Sequence, residues 1–300
     1  MLAGAVEEVT TRGPSVLHQQ GYLVVQMLGR GAHGDAFLVR RGRERGLFVA
    51  KIQSYADKPE QGKLALAREV TNMRKASLSG HPYLVRFRQS FQDSTHLCII
   101  MDYCEEADLA VQIRKQRQSR QFFPEGTIKR WLCELIAALD YLHCLHLLHR
   151  DVKPGNIFMS NGGARLGDFG LSKQVSAGVT NMNLHTQCGS PLYLAPEVHM
   201  GQPYSKSVDM WGLGCTLFEM MMLNFAFRGS TVTEVMRKIV YARHEEIQGG
   251  WTPNLVKIVH TLLSLKPTDR PTTPQLICDT YFQSATQEVY WDAAALSHRM

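Results

Sequence analysis

The run His149-Arg150-Asp151-Val152-Lys153-Pro154-Gly155-Asn156, with Asp168-Phe169-Gly170 beginning twelve residues after Asn156, gathers two carboxylates, an ammonium and an amide into two neighbouring stretches. These groups can align a hydroxyl, the terminal phosphoryl of a nucleotide and a Mg²⁺ ion. Asp151 would orient the attacking hydroxyl and receive its proton late, because a loose transition state needs positioning more than basicity. Lys153 would neutralise charge building on the γ-phosphate. Asn156 and Asp168 offer the hard oxygen ligands that Mg²⁺ prefers. Asp-Phe-Gly alone is an ordinary turn sequence; both stretches together, in this order and spacing, are specific.

Upstream, Gly29-Arg30-Gly31-Ala32-His33-Gly34 lies between two apolar runs. Glycines let a backbone approach phosphates closely and adopt positive φ. Taken alone the pattern is weak and reads better as an ordinary hairpin turn. A strand rather than a helix follows it, which argues against a dinucleotide-binding fingerprint and favours a lid over phosphates. Lys51 ends a later strand, and its compact ammonium suits the α- and β-phosphates. Glu69, in Ala67-Arg68-Glu69-Val70, is either a solvated helix glutamate or the partner that holds Lys51; its inward helix face favours the ion pair Lys51–Glu69. Arg150 stands ready to capture a phosphorylated residue and order the segment between Asp168 and Glu197. Acceptors there are Ser172, Ser176, Thr180, Thr186 and Ser190.

The elements that must position these groups fall into two kinds. Residues 22–28, 36–40 and 47–52 alternate as three antiparallel strands joined by tight turns. Residues 63–77 carry Leu66, Val70 and Met73 at helical spacing, and His81-Pro82 breaks that helix. Two further strands are expected at 84–90 and 96–102. After Tyr103 the periodicity becomes helical: Ile128, Trp131, Leu132, Leu135, Ile136, Leu139 and Leu142 form one stripe, and 208–223 is apolar on nearly every side, as a buried central helix would be. Residues 231–241 and 255–265 add two more helices. The expected class is therefore α+β, with a small antiparallel five-stranded β lobe plus one helix, a larger mainly helical lobe, and a ligand cleft at the 102–106 hinge. The division reads as a disordered leader over 1–20, an N-terminal lobe over 21–102, a C-terminal lobe over 103–283 and a short tail over 284–300.

Composition excludes several classes. With 44% apolar and 20% charged residues the chain is an ordinary globular one, and no uncharged apolar run is long enough to span a membrane. Glu7 and Glu8, with no apolar core around them, argue against a secretory signal. The net charge of +6 is modest, and its best cluster, Arg114 to Arg120, lacks interleaved aromatics, so no nucleic-acid partner is expected. Seven scattered cysteines without a Cys-x-x-Cys pair suit a reducing, intracellular compartment. His143, Cys144, His146 and His149 have ligand-like types, but a helix runs into them and His149 belongs to the loop carrying Asp151, so plain structural histidines are the better reading.

With Ala195-Pro196-Glu197, Asp209 in Ser207-Val208-Asp209-Met210-Trp211-Gly212, and Arg270 in Lys266-Pro267-Thr268-Asp269-Arg270-Pro271, these stretches resemble the full pattern of eukaryotic protein kinases over residues 20–283. The resemblance implies the bilobal protein-kinase fold, a Glu197–Arg270 ion pair and Asp209 bracing the loop of Asp151. Lys153 marks the serine/threonine type. It further implies Met101 as gatekeeper, Asp102–Cys104 as the adenine-binding hinge, Ala36, Val49 and Phe158 around the ring, and Asp108 toward the ribose. Thr186, four residues before Ser190, matches the usual activating site, and Ser190 stands where a threonine usually contacts the catalytic aspartate.

Residues 85–91 and 100–105, Asn156-Ile157-Phe158, 166–170, Leu223-Asn224-Phe225-Ala226-Phe227 and Ala36 resemble the NIMA-related (Nek) kinases in particular. That implies Mg·ATP-dependent transfer to protein Ser/Thr hydroxyls, control by an upstream kinase or by autophosphorylation in trans, and a cytoplasmic, cytoskeletal, basal-body or nuclear setting. Asp35 replaces a common lysine, Val49 an alanine, and Glu106-Ala107 a Gly-Gly pair expected to be looser. No heptads predict a coiled coil, and oligomeric state stays open. A pseudokinase scaffold would lack one of Lys51, Asp151 or Asn156. A small-molecule kinase would not need the Ala195-Pro196-Glu197 region that shapes a peptide groove.

Overall fold

The computed structural model describes residues 15–31, 34–42, 46–56, 58–168, 173–174, 191–285, 287 and 289. The chain divides into two compact units: one runs to Leu78 and includes Arg86–Tyr103, and the other comprises Ser79–Val85 and the chain from Cys104 onward.

In the first unit a short helix α1 (Ser15–Gln19) precedes strands β1 (Tyr22–Gly31), β2 (Gly34–Arg41) and β3 (Leu47–Ser54). Helix α2 (Glu60–Ser77) and strands β4 (Phe87–Gln92) and β5 (His96–Asp102) follow. The five strands form one antiparallel sheet in the order β1-β2-β3-β5-β4. Register places Ala36, Lys51 and Ile99 in one cross-strand row and Leu38, Val49 and Met101 in the next. Side chains alternate along a strand, so both rows share one face of the sheet. The opposite face carries Val39, Ala50, Ile52, Cys98 and Ile100, which bury against Tyr22, Val24 and the Val16 and Leu17 of α1. On α2 the buried side chains are Leu66, Glu69, Asn72, Met73 and Ala76, so Glu69 sits in the middle of the inward stripe.

The second unit is mainly helical. Its helices are α3 (Leu109–Ser119), α4 (Glu125–Cys144), α5 (Pro196–His199), α6 (Ser207–Met222), α7 (Val232–Val240), α8 (Pro253–Leu262) and α9 (Thr273–Ile277). Two small ladders join β6 (Leu147–Leu148) to β9 (Lys173–Gln174) and β7 (Ile157–Ser160) to β8 (Gly163–Leu166). Helix α6 is buried from Val208 through Met221, as its all-round apolar character requires. Its glycines allow close contact: a Cβ on Gly212 would stand 2.8 Å from the Val152 carbonyl oxygen, and one on Gly214 2.8 Å from Leu262 Cβ.

Three expectations need correction. Residues 15–19 of the expected disordered leader form α1, because Val16 and Leu17 find the apolar sheet face; residues 1–14 lie outside the described residues. The fourth strand begins at Phe87 rather than at Leu84: the Val85 N–H donates to the Leu166 carbonyl (2.9 Å) and the Leu166 N–H to the Tyr83 carbonyl (2.9 Å). That pairing takes Ser79–Val85 into the second unit, so the expected boundary at 102/103 is interrupted. Within the expected tail, Val289 is buried and its carbonyl accepts the Tyr83 hydroxyl at 3.0 Å. No helix among the described residues is long and apolar enough to cross a membrane.

Candidate active site

The loop between β6 and β7 is fixed from beneath by one carboxylate. Asp209, in the first turn of α6, is fully buried; its Oδ1 accepts the Arg150 N–H (2.7 Å) and its Oδ2 the His149 N–H (3.0 Å) and His143 Nε2 (2.8 Å). Burial pushes its pKa upward, but the His143 hydrogen bond, the His143 and His149 rings and the Arg150 amide together hold it below the usual carboxylate range. His149 continues the chain of contacts. Its Nε2–H donates to the Gly167 carbonyl (2.8 Å), which leaves Nδ1 to accept the Asp151 N–H (3.3 Å). Two of the histidines with ligand-like types thus serve hydrogen bonds, and no metal-binding cluster of three or more groups occurs among the described residues.

On this support, Asp151 Oδ2 accepts Lys153 Nζ at 2.6 Å and Asn156 Nδ2 at 2.7 Å. Asn156 Nδ2 also reaches the Asp151 carbonyl at 2.8 Å. The Gly167 N–H donates to the Asn156 carbonyl at 2.9 Å, tying the residue before Asp168 to the same loop. A Cβ at Gly167 would lie 2.7 Å from Val85 Cγ2 and 2.9 Å from Phe158 Cε2. Arg150 (φ 70°) and Asp168 (φ 54°) both hold left-handed backbone. Such conformations cost non-glycine residues about 1–2 kcal/mol each and gather where surrounding contacts over-determine the chain. Arg150 also lies over the Tyr204 ring, 5.6 Å from its centroid.

Within the first unit, Lys51 Nζ stands 3.8 Å from Glu69 Oε1, both side chains being nearly buried. Gly34, with φ 110°, closes the glycine-rich turn; a Cβ there would meet the Ile52 carbonyl oxygen at 2.2 Å, so only glycine fits. Gly29 and Gly31 pair across the turn with Ala36 and Gly34, and Arg30 with Asp35, whose charges approach to 3.8 Å on the surface. Val49 and Met101 are cross-strand neighbours beside the Ala36–Lys51 row. The Asp102 carboxylate is held by Arg88 at 2.5 and 3.1 Å. Ala32 and His33 lie outside the described residues, as do Thr186, Ser190, Phe169 and Gly170.

In the second unit, Cys104 is buried, and Phe158 pairs with Asp108 in a β-bridge. The Asp108 carboxylate, expected at a ribose, accepts the Val111 N–H (2.9 Å) and caps α3. Glu197 and Arg270 form the buried bidentate pair that the resemblance implied. Two features escaped sequence reading. Tyr193 donates to Glu219 Oε2 at 2.5 Å; burial first and the Glu219 charge second raise the phenol, while burial raises the carboxyl against the lowering pull of the Tyr193 hydrogen bond. Gln53 reaches Glu69, and strand alternation, which puts it on the face of Lys51, was its available signal.

The protein kinase domain family matches residues 22–282. The chain belongs to the protein kinase family. Its relatives include serine/threonine-protein kinase Nek5 of Homo sapiens, 34% identical over 259 residues that cover 85% of this chain and 36% of Nek5. Serine/threonine-protein kinase Nek6 of Oryza sativa subsp. japonica is 35% identical over 264 residues, covering 87% of this chain and 48% of that protein. Serine/threonine-protein kinase Nek11 of Homo sapiens is 31% identical over 281 residues, covering 92% and 42%. This kinase chain therefore spans less than half the length of the relatives it matches, and its resemblance lies with the NIMA-related branch.

Proposed function

We propose that this chain is a catalytically active serine/threonine protein kinase of the NIMA-related type, which moves the γ-phosphoryl of Mg·ATP to a protein Ser or Thr hydroxyl. The observation that carries the reading is the Asp151 carboxylate held at 2.6 and 2.7 Å by Lys153 and Asn156 on a loop anchored by Asp209. A buttressed carboxylate is suited to aligning a hydroxyl, where positioning dominates the barrier. Lys153 moves with it and offers its ammonium to charge on the transferring group.

The donor set fits the nucleotide and metal that this family uses. Asn156 commits Nδ2 to Asp151, which leaves its amide oxygen as the atom to offer a cation, and Asp168 supplies a second oxygen. The glycine-rich turn has no side chain at Gly34 and so lets backbone N–H groups approach phosphates. When bound, ATP supplies the phosphoryl and Mg²⁺ screens its charge. Lys51, steadied by Glu69, would hold the α- and β-phosphates, and Ala36, Val49 and Met101, neighbours on one sheet face, would give the base apolar surroundings.

Arg150 and Thr186 form the regulatory arm of the reading: phosphate on Thr186 pairs with Arg150 and orders the segment before Glu197. A scaffold without catalysis would tolerate loss of Lys51, Asp151, Lys153, Asn156 or Asp168; the sequence retains all of them. Radiolabel transfer to a protein substrate, compared among wild type, Asp151→Ala and Asp168→Ala, tests the reading. Loss of about a thousandfold or more in both variants is expected, and transfer persisting in either would overturn the assignments.

A further inference from the structure

Glu69 does not face Lys51 alone. Gln53, two residues beyond Lys51 on β3 and therefore on the same side of the strand, is itself buried and brings Nε2 to 3.5 Å from Glu69 Oε1. Lys51 Nζ addresses the same oxygen from 3.8 Å. One carboxylate oxygen is thus suspended between an ammonium and an amide, both at long range. Gln53 also underlies the glycine-rich turn, because a Cβ on Gly34 would come within 3.0 Å of Gln53 Cγ. The side chain therefore touches the base of the turn at its stem and the α2 glutamate at its tip.

The lysine has two obligations in the proposed reaction. It must answer Glu69, and it must give its ammonium to phosphates. When its ammonium is shared with phosphate, the buried Glu69 carboxylate keeps less of its compensation, and weakening the compensation of a buried charge is costly. A neutral amide donor on the same face compensates the carboxylate without competing for phosphate, because it carries no charge and is anchored two residues farther along the strand. We propose that Gln53 is a positioning residue: its amide keeps Glu69, and with it α2, in place while Lys51 engages the nucleotide. The inference rests on the reading of Lys51 and Glu69 given above and adds a third member to that pair.

Steady-state kinetics with varied ATP test it in Gln53→Met, which keeps length but removes the donor, and in Gln53→Asn, which keeps the donor but shortens its reach. Both should raise the KM for ATP about five- to tenfold, the scale of one ordinary hydrogen bond lost, with kcat changed less and the thermal midpoint near wild type. In the Glu69→Gln background Gln53→Met should add nothing further. Unaltered kinetics in Gln53→Met, wild-type behaviour in Gln53→Asn, or an undiminished effect in the Glu69→Gln background would each overturn the assignment. Full activity of Glu69→Gln alone would instead remove the Lys51–Glu69 reading, and the role of Gln53 with it.

Discussion

The guanidinium of Arg270 grips both carboxylate oxygens of Glu197, at 2.6 and 2.8 Å, while its remaining donors reach the carbonyls of Ser207, Ser264 and Leu265. The plane of the group lies over Trp211, 4.9 Å from the ring centroid. Every polar atom of a buried ion is thereby answered, which is the condition under which such a pair is tolerated. Removing one partner strands the other. Glu197→Ala is expected to lower unfolding free energy by about 3–5 kcal/mol, read from urea midpoints. Arg270→Lys should also destabilise, because an ammonium cannot reproduce the fork.

Lys51 belongs to a different category. It borders the sheet face beside Ala36 and meets Glu69 at 3.8 Å, so it contributes charge rather than packing volume. Lys51→Met should reduce phosphoryl transfer by about a hundredfold to a thousandfold while the chain still unfolds cooperatively, its thermal midpoint lowered only by the cost of leaving the buried Glu69 carboxylate with less compensation. Collapse of the midpoint, measured by scanning calorimetry, would place the residue in the core instead.

His81 gives the fold a sensitivity to acid. It stacks on Tyr141 at 4.9 Å, and its Nδ1 is buried without a hydrogen-bond partner among the described residues. Burial lowers its pKa from 6.5 to about 4, against the opposing pull of Asp140. The folded protein thus resists a proton that the unfolded chain accepts. Above pH 6.5 both states are neutral and nothing is lost; between pH 6.5 and 4 the unfolded state is increasingly favoured. A loss of about 2–3 kcal/mol across that window is expected. Comparing urea midpoints at pH 7.5 and pH 5 for wild type and His81→Phe checks it, since the variant should lack this part of the slope.

Ala107 sits at φ 64°, a left-handed conformation that suits glycine. Its carbonyl accepts the Met159 N–H at 2.8 Å, and the neighbouring Glu106 side chain accepts the Gly162 N–H at 2.8 Å, so the conformation is enforced from both sides. Ala107→Gly should relieve about 1–2 kcal/mol of strain and return part of it as unfolded-state entropy. A net gain of about 0.5–1 kcal/mol is expected, seen as a higher melting temperature.

Much of this was legible in the residues themselves. The short apolar run Leu47 to Ile52, bounded by a glycine-containing turn, marked β3, and the helical stripe from Ile128 to Leu142 marked α4, because burial on one helix face leaves a period in the sequence. The run from Asp151 to Asn156 marked a loop whose polar residues lie close enough in sequence to meet, as Lys153 and Asn156 do at Asp151. Helix α1 was not legible: five residues cannot show a period, and what folds them is the apolar sheet face against which Val16 and Leu17 come to rest. The start of β4 was misplaced because Leu84 and Val85 are as apolar as a strand, yet Val85 spends its N–H on Leu166. Gln53 looked like an ordinary strand residue, since its role depends on a partner sixteen positions away.

Gly212 lies on α6, yet the only room it leaves is taken by the carbonyl of Val152, next in sequence to Asp151. A single methyl there has nowhere to go except into the backbone that presents the carboxylate. An allele changing this glycine to alanine, the gentlest exchange in the genetic code by size, would therefore be scored in any activity screen as if it had struck the reaction centre itself.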